Sequence, residues 1–292
     1  MLSIGVCAQL ACIWEATARK PGNVHRFRDS EDMSYLDFLQ SAAAIAPVLE
    51  TAHQRRVGET VLQCIEATRA VTNTNTNLGI VLLLAPLATV HRDKDLQPSL
   101  KRVLKDLDVV DSRDVYQAIR LARPGGLGRV SDQDVSQEPT LPLREAMAIA
   151  ADRDMIARQY ATCFLEVFND GVPTLIQALD RKRSISLEEA IIHCQLRLMQ
   201  KYPDSLIARK SGGREAREAS RRSGIALTKF WRSKKVRWQE LAKLDAWLRA
   251  KGNRRNPGTT ADLVTASLFI ALRQGSITLP LSRPFSADDD HA

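Results

Sequence analysis

Aromatic side chains make up only 5% of the 292 residues, and glycine (14) and proline (12) are few for that length. Sandwiches and barrels need many turns and many aromatic or β-branched strand residues, so this scarcity excludes them and favours helices. The five cysteines, Cys7, Cys12, Cys64, Cys163 and Cys194, are scattered and form no C-x-x-C pair. Neither a disulfide framework nor a zinc knuckle is indicated. No apolar run reaches the roughly 18 residues that a membrane-spanning helix requires. The first residues lack the basic start and small-residue cleavage site of a secretory signal. The expected compartment is the reducing cytoplasm. No fixed-period repeat and no hairpin signal stands out.

What is present is a long, moderately apolar chain. Hydrophobic residues make up 44%, enough for a large core. The formal net charge is +8, unevenly spread: Arg209 to Arg237 holds eleven Lys or Arg against two Glu. A local basic excess suits a phosphorylated or otherwise anionic partner, and it also suits a plain solvated helix face. Only Phe230, Trp231 and Trp238 stand near it to stack on bases, so nucleic acid is not the expected partner.

The stretch from Thr72 to Val90 changes character in the middle. Asn73, Asn75 and Asn77 alternate with Thr72, Thr74 and Thr76, then an apolar run follows from Leu78. Asn and Thr side chains accept from the backbone N–H groups that a first helical turn leaves unpaired. A helix apolar on every side is buried all round. Its N-terminus, opening into a polar turn, is a seat for an anion such as phosphate. An ordinary capped core helix has the same pattern.

Similar polar interruptions recur. Met1 to Ala18 reads as a helix with Val6, Leu10, Ile13 and Trp14 on one side. Glu15 lies near its C-terminal end, against the dipole, where it either has a task or pairs with Arg19. Lys20-Pro21-Gly22 stops that helix, and two cations on a rigid turn suit phosphate. The loop from His25 to Met33 holds Asp29, Glu31 and Asp32, and His25 is as much a surface residue as a participant. Ser34 and Asp37 are spaced as a capping-box variant. Arg123 to Arg129 is a glycine-rich cationic turn, neither a Rossmann fingerprint nor a P-loop, followed by a candidate lid over 130–142. Leu143 to Asn169 is helical, with Asp152 and Asp154 marking a break. Ser186 and Glu189 form a capping box. Asp204 to Gly213 offers a carboxylate, Arg209, Lys210 and two glycines. Helices over Arg214 to Ser223 and Leu227 to Ala250 carry most of the basic excess. Asn253 to Asp262 enters a last helix, Ala261 to Arg273, with Asp262 in its first turn. The expected organisation is one all-α, multi-helix domain over residues 1–275 and a disordered tail over 276–292.

Each interruption sets a carboxylate, a cation or exposed backbone N–H groups against a buried helix end. Helical proteins build one site from many segments in this way. Lys20, Asn75, Asp204 and Asp262 are therefore expected in one nucleotide cleft.

Four stretches resemble the triphosphoribosyl-dephospho-CoA synthases, all-helical enzymes that help make the prosthetic group of citrate lyase and malonate decarboxylase. Glu15 with Lys20-Pro21-Gly22 resembles the family's Glu…Lys-Pro-Gly start, and Asp32-Met33 its Asp-Met. Asn75-Thr76-Asn77-Leu78-Gly79 is similar to its Asn-Thr-His-Lys-Gly. Asp204 to Gly213 resembles its Asp-Thr-Asn…Arg-Gly-Gly, and Pro257 to Leu263 its Pro-Gly-Gly-x-Ala-Asp-Leu. Arg123 to Gly128 is a weaker match. The matches run in order over nearly the whole chain. Asn77 and Leu78 stand where the family has His and Lys, and Ser205 and Leu206 where it has Thr and Asn, the mark of a divergent branch.

The resemblance implies transfer of a triphosphoribosyl group from ATP to the 2′-hydroxyl of dephospho-CoA, or of a related coenzyme precursor, with release of adenine. A pterin-type one-carbon coenzyme pathway is an alternative setting. A nucleotide-binding helical protein without transfer and a hydrolase of the same glycosidic bond are the rival classes. By analogy with glycoside chemistry, carboxylates assist an oxocarbenium-like transition state and one accepts the hydroxyl proton. The implied catalytic residues are Asp32, Asp204, Asp262 and Glu15. The first three are also the implied ligands of Mg²⁺. Lys20, Gly22, Asn75, Asn77, Gly79, Arg123, Arg209, Gly258 and Thr259 are the implied nucleotide and phosphate contacts.

Overall fold

A computed structural model of the protein describes residues 2–125, 133–180, 185–281 and 285. These form fourteen α-helices and one four-residue extended segment, Ala250–Asn253. The expected all-α class holds. None of the helices is long and apolar enough to cross a membrane. Gly126, Gly128, residues 130–132 of the expected lid, and residues 282–284 and 286–292 of the expected tail lie outside the described residues. Of the rest of that tail, Ile277 is buried. The chain divides into two compact units, Met1–Ile13 with Leu36–Val167 and Trp14–Tyr35 with Phe168–Ala292.

The first unit holds most of α1 (Ile4–Thr17) and α2 (Tyr35–Glu50), then α3 (Val57–Val71), α4 (Leu78–Thr89), α5 (Leu96–Lys105), α6 (Val109–Ala122), α7 (Leu143–Ala150) and α8 (Met155–Thr162). Helix α4 is its centre, with every residue from Leu78 to Ala88 except Gly79 buried. Pro86 lies inside it and has no N–H to give the Leu82 carbonyl four residues back. The buried Tyr160 hydroxyl donates to that carbonyl at 2.7 Å, so the defect is repaired from α8. Helices α3 and α6 meet closely at their starts. A Cβ on Gly58 would lie 2.6 Å from the Asp111 Cα, so only glycine fits there. Asp111 accepts from the Gly58 N–H at 2.9 Å and, with Asp108, closes a capping box on α6. The break expected at Asp152 and Asp154 is real, because Asp154 caps α8 through the Ile156 and Ala157 N–H groups. In α1 the inner side differs from expectation: Val6 is 40% exposed, whereas Cys7, Ala8 and Ala11 are fully buried. Small residues face the closest neighbours there.

The second unit holds the end of α1, the loop to Tyr35, α9 (Val172–Ala178), α10 (Leu187–Lys201), α11 (Ser205–Ser211), α12 (Gly213–Lys229), α13 (Lys234–Arg249) and α14 (Gly258–Arg273). Ser186 and Glu189 form the expected capping box on α10. The basic helices break at Phe230 to Ser233, later than the sequence pattern suggests. Phe230 turns into the core formed by Ile192, Leu196, Leu241 and Leu244, and Ser233 caps α13 through the Val236 N–H.

Candidate functional site

In the second unit, three of the polar interruptions come together. Helix α14 starts at Gly258, three residues before the expected Ala261, which moves Asp262 out of the first turn. Asp204, from a distant part of the chain, serves that turn. Its Oδ1 accepts from the Leu206 and Ile207 N–H groups at 2.9 and 3.0 Å, capping α11. Its Oδ2 accepts from the Thr260 N–H at 2.8 Å and the Thr260 hydroxyl at 2.7 Å. One carboxylate thus clips two helix N-termini, and the Ser205 and Thr259 hydroxyls bond beside it at 3.1 Å. Burial pushes the Asp204 carboxyl up, while the four donors pull it down.

The Lys20 turn is anchored to the same region. Gly22 adopts φ +81°, and a Cβ there would lie 2.8 Å from Leu248 and 2.9 Å from Pro257. The Gly22 N–H donates to Asp245 at 2.8 Å. Asn23 donates to Asn256 and accepts from Gln195, both at 2.7 Å. Lys20 is fully buried, with Nζ 2.8 Å from the Glu15 carboxylate and donating to the Glu15 and Ala18 carbonyls. Glu15 therefore pairs with Lys20, not with Arg19 as the i,i+4 spacing suggests. Arg19 goes to Glu188.

His25 is buried, and burial together with the Lys20 and Arg249 charges lowers its imidazole to about 4. The ring is neutral in the folded chain at neutral pH. A histidine whose folded pKa lies below its unfolded value loses stability as pH falls through the unfolded value, because only the unfolded chain takes up the proton. Between pH 7 and pH 5 this group is expected to remove roughly 2 kcal/mol, using about 1.4 kcal/mol per unit. Urea unfolding of the parent and of His25→Gln at both pH values measures it; equal pH slopes would show that His25 is not held neutral.

Asp32 is exposed, and so is Arg209, which lies in the last turn of α11. Lys210 is half-buried and donates to the Asn253 carbonyl at 3.3 Å. Burial lowers its ammonium, Asp32 and Asp204 raise it, and Arg209 lowers it, with a net fall. Lys210 thus sits in the field of two of the implied carboxylates. Its place beside Arg209 was the only sequence signal for it. Asp262 is half-buried on α14, two residues beyond Thr260, which the Asp204 clip holds.

The other implied contacts belong to the first unit. The Asn75 side chain accepts from the Leu78 N–H at 3.2 Å, so it supports the start of α4. Asn77 precedes α4, but its side chain turns inward to Thr68, donating at 2.9 Å. Gly79 is half-buried in the first turn, and Arg123 is exposed at the end of α6.

One cluster was missed at the sequence level. Glu188 is fully buried and accepts from Arg19 at 2.9 and 3.0 Å and from Arg26 at 2.8 and 3.2 Å. Burial raises its carboxyl, but the two guanidinium groups outweigh it and hold the group below the usual range. Partners more than 160 residues apart give no local pattern. The basic stretch is also partly neutralised: Glu218 pairs with Arg221 and Arg222, Glu240 with Lys229, and Glu189 with Arg237. Phe230 is core, not a stacking platform.

The residues present do not form a metal cage. Among the described residues, no group of three or more His, Cys, Asp or Glu side chains is arranged to hold an ion. The implied trio of Asp32, Asp204 and Asp262 is not assembled as one, and both Asp204 oxygens already accept two hydrogen bonds each.

Polar turns at buried helix ends, with carboxylates and cations beside them, describe an all-helical enzyme acting on phosphorylated ligands. Comparison with known proteins makes this specific. The family model described as ATP:dephospho-CoA triphosphoribosyl transferase matches residues 1–278, and the chain belongs to that family. It is a transferase, and the family's substrates are ATP and dephospho-CoA. A crystal structure from Archaeoglobus fulgidus, described as a proposed triphosphoribosyl-dephospho-CoA synthase, is 27% identical with a TM-score of 0.62. The match covers 82% of this chain and all of that one. No curated protein matches the chain.

Proposed function

We propose that the second unit carries the ribosyl-transfer chemistry, with Asp262 as the base and Asp32 beside the donor phosphates. The observation that supports this most is the meeting of Lys20 to Asn23, Asp204 to Lys210 and Asn253 to Asp262 through the Asp204–Thr260, Asn23–Asn256 and Lys210–Asn253 hydrogen bonds. In the reaction the C1′–N9 bond of ATP breaks, the bonding pair goes to N9, and adenine leaves after taking a proton from solvent. The 2′-oxygen of dephospho-CoA bonds to C1′, and its proton passes to the Asp262 carboxylate. Arg209 and Lys210 hold phosphate oxygens by charge-assisted hydrogen bonds. Gly258 and Thr259 lie in the α14 first turn, where a helix N-terminus favours anions. Asp204, Glu15 and Lys20 act as positioning residues that hold the turns.

Magnesium enters this reading on the substrate phosphates, with no more than one or two protein carboxylates, Asp32 and Asp262, for it. Asn77 and Leu78 make the α4 turn neutral where the family has titratable and cationic groups, so that turn attracts phosphate less strongly. Adenine release from ATP and Mg²⁺, measured with and without dephospho-CoA, tests the reading. Asp262→Asn is expected to lower the acceptor-dependent rate by about a hundredfold, typical of losing a general base. ATP binding without adenine release for any acceptor would leave a binding protein. Acceptor-independent release would make it a hydrolase.

A further inference from the structure

Three amide side chains of the second unit form a one-way chain of hydrogen bonds. The Pro21 carbonyl can only accept, so the Gln195 group facing it at 3.2 Å is the Nε2 amide. The same Nε2 donates to the Asn23 Oδ1 at 2.7 Å, which turns the Asn23 Nδ2 toward Asn256. The Asn256 Oδ1 accepts from it at 2.7 Å. Each link fixes the next, so a backbone carbonyl at the buried end decides which group of Asn256 is left over: Nδ2, with two N–H bonds. Gln195 is fully buried and keeps this sense although its own Oε1 then has no hydrogen bond. Asn256 is only partly buried, and among the described residues its Nδ2 meets no acceptor.

The segment that carries Asn256 is held from several sides. Lys210 donates to the Asn253 carbonyl at 3.3 Å and Ser211 to the Arg254 carbonyl at 3.1 Å. Arg255 is buried, donates to Glu215 at 2.7 Å, and lies 3.9 Å from the centre of the Trp247 ring. On the other side of the contact, Arg249 donates to the Asn23 carbonyl. A donor held this firmly gives up little freedom on binding. Lys210 and Arg254 bring positive charge to the same segment, Arg254 donating to the Lys210 carbonyl at 3.0 Å. Two residues on, α14 starts, and its N-terminus favours an anion. These surroundings suit an anionic acceptor for the Asn256 N–H bonds.

We infer that Asn256 binds a substrate phosphate oxygen through Nδ2, and that Gln195 is a positioning residue that sets its orientation through Asn23. This rests on the transferase reading only for the source of the phosphate, which is the triphosphate of ATP or the diphosphate of dephospho-CoA.

Asn256→Asp is the deciding variant. It keeps the shape and an oxygen for the Asn23 donor, but it turns a charged oxygen to the ligand in place of the amide. Calorimetric titration with ATP, dephospho-CoA and adenosine reads it, with circular dichroism to check the fold. The affinity for a phosphorylated ligand is expected to fall by about a hundredfold, as for a lost hydrogen bond to a charged group. Adenosine, which has no phosphate, is expected to bind both proteins alike. A fall for ATP alone assigns the contact to the donor, a fall for dephospho-CoA alone to the acceptor, and a fall for both to a phosphate position that the two share. Gln195→Met is expected to weaken the same ligand by about fivefold in the parent and to add nothing to Asn256→Asp, because both act through one amide. Additive losses would remove Gln195 as a positioning residue. Parent-like affinities in folded Asn256→Asp, an equal fall for adenosine, or no binding of either phosphorylated ligand by the parent overturns the inference. Adenine release is followed in parallel. Release with unchanged affinities in Asn256→Asp sinks the Asn256 contact alone. Asn256-dependent binding without release in the parent sinks the transferase roles alone.

Discussion

Asp204→Ala is expected to lower the stability of the protein by about 4 kcal/mol, from lost caps and buried donors left unpaired. Its Oδ1 caps α11 and its Oδ2 holds the start of α14, so one substitution uncaps two helices at once. A lost cap costs typically about 1 kcal/mol, and each buried donor left without an acceptor roughly 1–3 kcal/mol. Thr260 is buried, and its N–H and hydroxyl both donate to Asp204. Asp204→Asn keeps one acceptor oxygen, but its amide donors then face N–H groups on the other side, so roughly half of the loss is expected. Urea unfolding of the three proteins at one pH measures this. A fall of less than about 1 kcal/mol for the alanine variant would remove the clip as a support of the fold. Activity should fall with it, because Gly258, Thr259 and Asp262 stand on the helix that the clip starts.

Lys20→Met is expected to cost about 3–5 kcal/mol, the usual penalty for stripping one partner from a buried ion pair. Glu15 is only 3% exposed, so its carboxylate would be left in the interior with no cation. The penalty belongs to the orphaned charge. Replacing both groups, as Glu15→Leu with Lys20→Met, should therefore recover most of it, to within about 1.5 kcal/mol of the parent. The same double variant separates structure from chemistry. If the pair only holds the turn, the double variant keeps adenine release within about tenfold of the parent, since activity follows the restored fold. A stable double variant that has lost release altogether would return Lys20 to the phosphate site. A double variant as unstable as Lys20→Met would mean that the cost lies in lost backbone bonds, those to the Glu15 and Ala18 carbonyls.

What the amino-acid sequence determines here is mostly local. Periodicity placed the helices, and side-chain chemistry placed caps such as Asn75 before α4 and Ser186 with Glu189 on α10. These signals are legible because a cap and its target lie within three residues. Helix ends were less legible where a distant group finishes them. The start of α14 moved from Ala261 to Gly258 because Asp204, 56 residues away, supplies an acceptor to Thr260. The break after α12 fell at Phe230, not near Gly224, because a buried aromatic ring outweighed a glycine that the helix could tolerate.

The candidate site divides in the same way. Its polar turns, and the family they resemble, can be read along the chain. Which charges remain available for a ligand cannot, because that depends on pairings across long sequence separations. Lys20 looked like an exposed cation on a turn, yet it is buried against Glu15; Arg19 looked like the partner of Glu15, yet it lies on Glu188, 169 residues away. Arg69 and Arg120 attracted no notice in the sequence, yet they line one cleft with Glu66 and Arg123. Sequence composition and period determine the helices, because each turn is stabilised by neighbours three or four residues away. Only tertiary packing decides the protonation, pairing and exposure of each charge, because those follow from burial and from groups that the fold, not the chain, brings near.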